Sequence, residues 1–106
     1  MQLYRWNQVE KKQLNPLTVR QVINGETMTI ARFDLRKGAT VAPHSHHNEQ
    51  ITTIQSGSAR FTVGGEDVVL NAGESLCIPP NVPHSAEALE DSVAVETFSP
   101  PRDDWK

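Results

Sequence analysis

Several features that define large protein classes are scarce or absent in this sequence of 106 residues. A single cysteine, Cys77, excludes an internal disulfide framework and is typical of a reducing compartment, so we expect a cytoplasmic protein. No apolar run approaches the roughly 18 residues that a membrane-spanning helix needs, so we expect no membrane partner. Residues 1–12 lack the apolar stretch of a secretory signal, and we expect none.

An excess of positive charge is absent as well. The chain has 10 basic and 13 acidic residues, which gives a formal net charge of −3. A protein that binds the phosphate backbone of a nucleic acid normally presents a basic surface, so we expect no nucleic-acid partner. The length suits one domain over residues 1–106, because domains run from about 50 to 250 residues.

Signals for long helices are weak throughout, because seven prolines and six glycines interrupt the chain. The only candidate helix is Trp6–Lys12. Elsewhere apolar and polar residues alternate, as along Thr27–Leu35, where Ala31, Phe33 and Leu35 share one face. This alternation predicts short strands rather than helices.

A predicted hairpin and two later strands complete this description. Ser58–Val63 has apolar residues at every second position, and the adjacent Gly64-Gly65 supplies the positive φ angles that a tight hairpin turn needs. Ser75–Ile78 and Val93–Phe98 are predicted as further strands. Short strands separated by turn signals about every eight to twelve residues are typical of antiparallel sandwiches and barrels, so the predicted fold class is all-β.

The carboxy-terminal residues Ser99–Lys106 depart from this alternation. Pro100 and Pro101 cannot donate to a sheet ladder, so the chain must leave the sheet there. A frayed terminus and an ordered segment that places Arg102 and Trp105 are about equally consistent with the composition.

The four histidines lie in two short segments, residues 43–50 and 79–84. Side chains two residues apart on a strand point the same way, so we expect His44 and His46 to project together, with His84 meeting them across the barrel. Three imidazoles suit zinc, iron, nickel, copper or manganese without a strong preference. The alternative is that these are ordinary surface histidines, which is the commoner role of a histidine on a strand.

The same alternation along a strand assigns the neighbours of these histidines to two opposite faces. Gln50 is in phase with His44 and His46, and its amide oxygen could complete a ligand set. His47 and Glu49 have the opposite parity, so we expect them to face away from the pair. Either could still orient a ligand from outside, although an ordinary solvated role is at least as common.

Glycines and prolines are spaced around the histidines in two motifs. The first, residues 38–57, reads Gly38-(x5)-His44-x-His46-(x3)-Gln50-(x6)-Gly57, and the second, residues 73–84, reads Gly73-(x5)-Pro79-x-Asn81-(x2)-His84. In spacing and order they resemble the two metal-binding motifs of cupins. Gln50 stands at the position of the family carboxylate, and Asn81 stands at that of a glycine. The resemblance implies a single-domain double-stranded β-helix, or jelly-roll barrel.

Within the cupins, the segments His44–Gln50, Phe61–Glu66 and Phe98–Trp105 resemble the KdgF family of pectin-degradation proteins. The resemblance implies one divalent metal and the following ligands: His44, His46, Gln50 and His84. It also implies an active-site tail over residues 96–105 with three catalytic residues: Glu96, Phe98 and Arg102. The family acid is usually Asp, so the carboxyl group of Glu96 lies about one methylene further from the backbone.

The activity that this resemblance implies is metal-assisted linearisation of 4,5-unsaturated monouronates derived from pectin and alginate, which gives an open-chain keto sugar. Under that interpretation the partner is a small anionic sugar, which Arg102 would hold by its carboxylate. Two other functions stay open: a non-catalytic cupin that binds a sugar or small acid through a metal, and a cupin dioxygenase. Small barrels expose strand edges through which copies can pair, so we expect a homodimer.

Overall fold

The computed structural model describes all 106 residues of the chain, and most of them lie in ten β-strands. In chain order the strands are β1 (Lys12–Asn15), β2 (Thr18–Asn24), β3 (Thr29–Leu35), β4 (Thr40–His44), β5 (Glu49–Ser56), β6 (Ser58–Val63), β7 (Glu66–Asn71), β8 (Ser75–Ile78), β9 (His84–Ala88) and β10 (Ser92–Ser99). Two short 3-10 helices span Trp6–Gln8 and Asp103–Trp105. Neither helix has the length or the apolar character to cross a membrane. The predicted all-β fold class is confirmed.

The strands form two antiparallel sheets. The larger sheet has the order β1-β2-β3-β10-β5-β8, and the smaller has the order β4-β9-β6-β7. From β3 onwards the chain passes repeatedly from one sheet to the other, as expected for a jelly roll. This alternation brings residues that are far apart in the sequence to facing positions between the sheets.

The hydrophobic core consists largely of residues that the strand alternation places on one face. Eight buried residues form a single cluster: Ala31, Phe33, Ile54, Ala59, Phe61, Leu70, Ala94 and Phe98. On the larger sheet, Ala94 of β10 pairs with Phe33 on one side and with Ile54 on the other, so these three side chains share the inner face. Half of the eight residues are alanine or leucine, and the three phenylalanines supply the largest side chains.

The turns follow the predicted glycine positions. Gly64 and Gly65 join β6 to β7 with φ angles of 56° and 85°, and the register pairs Val63 with Glu66 across them. Asn81 adopts a φ of 65°, which is unusual for a residue other than glycine but is tolerated by asparagine. The second motif therefore keeps its left-handed turn without the glycine that cupins usually have there.

Gly57, between β5 and β6, packs closely against the backbone of Asp91 and Ser92. Its φ is +83°, and a Cβ atom there would overlap the backbone oxygen of Asp91 and Oγ of Ser92. We expect Gly57→Ala to lower the free energy of unfolding by about 2–4 kcal/mol, because left-handed strain and steric overlap both destabilise the fold. Gly65→Ala is the matched control, since its φ is +85° but nothing lies within 4 Å of the added atom. Urea unfolding that shows equal losses for the two variants would contradict this explanation.

The helix expected over Trp6–Lys12 is wrong in extent. It is a single 3-10 turn at Trp6–Gln8, and Lys12 already belongs to β1. The Nε2 of Gln21, on β2, donates to the backbone oxygens of Trp6 and Val9 at 2.6 and 3.0 Å. These carbonyl groups therefore obtain partners from the sheet, and no longer helix is needed to satisfy them.

The tail that follows β10 is ordered against the barrel. The Nδ2 of Asn48 donates to the backbone oxygen of Pro100 at 2.6 Å. The ring of Trp105 lies edge-on to the rings of Phe33 and Phe98, with centroid separations of 6.0 and 5.0 Å. A frayed terminus is therefore excluded, and the tail contributes an indole to the core of the barrel.

Candidate metal centre

Three of the four histidines converge between the sheets. His44 is the last residue of β4, His84 is the first residue of β9, and the antiparallel register places them directly opposite each other. Their ring centroids are 4.3 Å apart. His46 follows in the segment between β4 and β5, where its backbone oxygen accepts a hydrogen bond from the backbone N–H of Asn81 at 2.8 Å. This hydrogen bond connects the first sequence motif to the second, next to the imidazoles.

The route by which His46 reaches the site differs from the prediction. We expected His44 and His46 to share one face of a strand, but β4 ends at His44. The two ring centroids are nevertheless 5.5 Å apart, in a segment whose backbone is held at His46 by the hydrogen bond from Asn81. The convergence was predicted correctly, whereas strand parity as its cause is wrong.

Hydrogen bonds to the backbone engage the same nitrogen, Nδ1, in each of the three imidazole rings. Every Nδ1 lies 2.9–3.0 Å from the backbone oxygen of a residue two positions away in the chain. A carbonyl oxygen only accepts hydrogen bonds, so each Nδ1 carries the proton and each Nε2 presents a lone pair. One ring nitrogen from each of His44, His46 and His84 lies within 4.8 Å of the other two. Such an arrangement of neutral imidazoles is what a divalent metal requires.

Burial favours the neutral form of two of these imidazoles. Removal from water lowers the pKa of His46 and His84, and the positive charge of Arg102 acts in the same direction on both. The Nε2 of His84 is buried and has no hydrogen-bond partner in the protein. An unpartnered buried lone pair is costly, and a bound cation would satisfy it.

Gln50, the second residue of β5, completes the candidate ligand set. It is buried, and its Oε1 lies 3.1 Å from Nε2 of His46. Both atoms are acceptors when His46 carries its proton on Nδ1, so their contact is repulsive unless a cation lies between them. The spacing matches two neighbouring ligands of one metal at bond lengths of about 2.1 Å. Three imidazoles and an amide oxygen therefore fit a divalent transition metal, whose identity this donor set does not select.

The orientation of the Gln50 amide is set by Glu96 and Thr52. Gln50 Nε2 donates to Oε2 of Glu96 and, at 2.8 Å, to Oγ1 of Thr52. Thr52 Oγ1 in turn donates to the same Glu96 oxygen at 2.5 Å. With its nitrogen held by a carboxylate, the amide turns its oxygen towards the histidines. Glu96 lies on β10 opposite Thr52 of β5, so the sheet register fixes this arrangement.

Glu96 is also the only carboxylate beside the histidines that faces the interior of the barrel. Burial raises the pKa of this carboxyl group, while the hydrogen bonds from Thr52 and Gln50 act in the opposite direction. The side chain shares the inner face of β10 with Ala94 and Phe98, which are two positions away on either side. Its carboxyl group can therefore hold a proton close to the candidate metal ligands.

His47 and Glu49 do not join the site. Both are exposed, and the Glu49 carboxylate accepts a hydrogen bond from Sγ of Cys77 at 4.0 Å. Cys77 is an exposed free thiol. The expectation that these two residues face away from the metal ligands agrees with their positions.

Phe98 and Arg102 pack together next to the histidines. The ring of Phe98 lies edge-on to that of His46, with centroids 5.7 Å apart. The guanidinium carbon of Arg102 lies 4.9 Å from the ring centre of Phe98 and 3.9 Å from that of Trp105, a cation–π arrangement on both sides. The backbone N–H of Arg102 donates to Oγ1 of Thr29 at 2.9 Å, which anchors the tail to β3.

One edge of the Arg102 guanidinium is already paired within the chain. Its Nε and Nη2 donate to the two carboxylate oxygens of Asp104 at 2.9 and 2.7 Å. This bidentate pair is the geometry that Arg102 was expected to offer to a substrate carboxylate. The guanidinium itself is buried, and the pairing lowers the pKa of Asp104.

A cavity of about 230 Å³ connects these groups. The polar residues that line it include His44, Gln50, His84, Glu96, Arg102 and Arg20. Apolar surface is supplied by Phe33, Phe61 and Phe98, among others. The volume is below the range of about 300–1,000 Å³ typical of drug-sized ligands, so the cavity suits a molecule no larger than a simple sugar.

Three residues of this region were not predicted from the sequence. Thr52 acts through a hydrogen bond to Glu96, which is distant in the sequence. Asp104 acts through its pair with Arg102 in the carboxy-terminal tail, a segment that the composition did not distinguish from a disordered one. Arg20 lies on an early strand with an alternating pattern, where a lone arginine is normally solvated. Only the register of the larger sheet reveals that it lies on the inner face.

Comparison with known proteins agrees with the two motifs and the fold. The family model for the cupin domain matches residues 31–99. The pectin degradation protein KdgF of Dickeya dadantii is 37% identical over 71 residues, which cover 65% of this chain and 64% of that protein. The match thus spans somewhat less than two thirds of that relative's length.

Two further relatives support this placement. The solved structure of KdgF from a Halomonas species superposes with a TM-score of 0.93 at 26% identity, covering 100% of this chain and 99% of that one. The H2HPP isomerase of Bacillus subtilis is 33% identical over 92 residues, covering 76% of this chain and 39% of that protein. On the motifs, the jelly roll and these matches, the chain belongs to the cupin domain family, in which it is similar to the KdgF proteins.

Proposed function

We propose that this protein is a metal-dependent enzyme that linearises 4,5-unsaturated monouronates to their open-chain keto form. The observation that carries the proposal is the shared cavity: three of the four candidate metal ligands (His44, Gln50 and His84), one half-buried carboxyl group and two guanidinium groups surround a space of about 230 Å³. Its similarity to KdgF, a protein named for pectin degradation, supports a uronate as the substrate. The cavity size supports a monosaccharide.

The proposed reaction is an isomerisation that needs no added reactant. The hydroxyl on carbon 1 loses its proton and becomes an aldehyde as the bond from carbon 1 to the ring oxygen breaks. The ring oxygen stays on carbon 5, and the resulting enolate takes a proton at carbon 4 and becomes a ketone. The atoms therefore balance, and catalysis consists of moving protons and stabilising negative charge on oxygen.

His44, His46, Gln50 and His84 would hold the metal in this proposal. When bound, a divalent metal supplies a Lewis acid that binds substrate oxygens and stabilises negative charge on them. A neutral amide in place of a carboxylate leaves the full charge of the ion available for that purpose. Phe98 acts as a positioning residue, since it packs on both His46 and Arg102.

Glu96 is the proposed proton carrier. Its carboxyl group lines the cavity next to Gln50, and burial favours its protonated form. In this scheme it accepts the proton of the hydroxyl on carbon 1 as the ring opens and then delivers that proton to carbon 4. The net charge of the protein is negative, so an anionic sugar requires local positive charge, which Arg20 and Arg102 provide at the cavity.

The test is product analysis by NMR with purified, metal-loaded protein and 4,5-unsaturated galacturonate. We expect the open-chain keto sugar to appear well above its spontaneous rate without uptake of oxygen. Saturable binding of the sugar without turnover would instead indicate a non-catalytic binding cupin. Oxygen consumption linked to substrate loss would indicate a dioxygenase, and either result contradicts the proposal.

A further inference from the structure

Arg20, on β2, is a partly buried cation that has neither a hydrogen-bond acceptor nor an ion-pair partner in the protein. Its Nε is fully buried without a hydrogen-bond acceptor, and none of its other nitrogens takes part in a hydrogen bond or an ion pair. The arginines that are comparably sheltered are paired: Arg32 contacts Asp34 at 3.5 Å, and Arg102 contacts Asp104 at 2.7 Å. Leaving a sheltered guanidinium unpaired is unfavourable unless a ligand completes it.

The register of the larger sheet directs Arg20 towards the candidate metal centre. Arg20 pairs with Phe33 of β3, which in turn pairs with Ala94 of β10, and both of these side chains lie in the core. Arg20 therefore projects from the inner face. It lines the same cavity as His44 and Glu96.

Trp105 fixes where the Arg20 guanidinium lies. The guanidinium carbon is 4.4 Å from the centre of the indole ring, within cation–π distance. The indole thus has Arg20 and Arg102 as neighbours. Burial and the charge of Arg102 lower the pKa of Arg20, while the more distant charge of Asp104, which makes no ion pair with it, acts in the opposite direction. An anion placed at Arg20 would relieve both effects.

The two arginines differ in what they can offer to a ligand. The Nε and Nη2 of Arg102 are bound to Asp104, so a carboxylate could use that edge only by displacing a charged pair. Arg20 needs no such exchange. A planar guanidinium binds a carboxylate through two parallel hydrogen bonds, which a lysine cannot reproduce.

We infer that Arg20 binds the carboxylate of the sugar, and that Arg102 serves to hold the tail and the indole in place. The inference rests on the proposed function in that the ligand is taken to be a uronate. It assigns selectivity for acidic over neutral sugars to a residue that the two sequence motifs do not contain.

The experiment measures binding of galacturonate and of its neutral counterpart galactose to the metal-loaded protein by calorimetry. We expect Arg20→Gln to weaken galacturonate binding by about 10–100-fold, as for loss of hydrogen bonds to a charged group, and to leave galactose binding unchanged. Arg20→Lys should recover only part of the loss. Arg32→Gln is the matched control, because it removes the same charge from the neighbouring strand at a position paired with Gln21, on the outer face. Thermal unfolding verifies that each variant is folded.

The inference is overturned if Arg20→Gln binds galacturonate as tightly as the unaltered protein, or if the unaltered protein shows no preference for the acidic sugar. Its failure is distinct from failure of the proposed function. Turnover of the unsaturated sugar with an unchanged KM in Arg20→Gln would refute the carboxylate site alone. Arg20-dependent binding without turnover would refute the catalytic proposal alone.

Discussion

Replacing His84 with alanine is expected to weaken binding of a divalent metal by more than about a hundredfold, since even changes outside the ligand shell commonly cost about 10–100-fold. His84 is the most deeply buried of the three converging imidazoles, and its free Nε2 has no other partner. Titration of chelator-stripped protein with the metal measures the affinity. His47→Ala is the matched control, because His47 is exposed and lies outside the histidine cluster. The metal affinity of this variant should equal that of the unaltered protein.

The same pair of variants provides a stability readout. A ligand present at about a hundredfold above its Kd stabilises the folded state by about 2.7 kcal/mol, so added metal should raise the Tm of the unaltered protein and of His47→Ala. His84→Ala should show almost no metal-dependent rise, while its Tm without metal stays close to that of the unaltered protein. Equal metal-dependent shifts in His84→Ala and His47→Ala would contradict the proposed site.

Replacing Glu96 with glutamine is expected to lower kcat by about 10²–10⁴-fold, the range for loss of a general acid or base. Glutamine keeps an oxygen that can accept hydrogen bonds from Gln50 and Thr52, so metal affinity should change little. Glu96→Ala removes that acceptor and frees the Gln50 amide, so it should also weaken metal binding by about 10–100-fold. Rates of linearisation and metal titrations on the two variants separate the roles.

The outcomes for Glu96 distinguish proton transfer from positioning. A kcat for Glu96→Gln equal to that of the unaltered protein would show that the carboxyl group carries no proton in the reaction. Full metal affinity in Glu96→Ala would show that Gln50 is oriented by Thr52 alone. Loss of metal by both variants would make the role of Glu96 structural.

The sequence predicted those features that depend on residues close together in the chain. The alternation along β3 and the paired glycines at 64 and 65 act over a few residues, so both appeared in the structure as predicted. The cupin motifs similarly identified candidate ligands that lie close together in the structure. His46 lies in the segment after β4 rather than on a strand, because an alternating pattern does not mark where a strand ends.

The features that the sequence did not predict depend on contacts between distant segments. The pairing of Arg102 with Asp104 is formed only once the tail packs against Phe33 and Phe98. The inward direction of Arg20 follows from its register opposite Phe33, which no local pattern specifies. The contact from Glu96 to Gln50 likewise joins residues 46 positions apart.

In the proposed function, a metal held by the three histidines and Gln50 supports linearisation of an unsaturated uronate. The most direct measurement titrates a divalent metal into chelator-stripped protein and follows the absorbance of the conjugated double bond of 4,5-unsaturated galacturonate. We predict that the rate of absorbance loss rises above the spontaneous rate and saturates at a single equivalent of metal per chain. A rate that stays at the spontaneous value when the site is saturated with metal would contradict the claim.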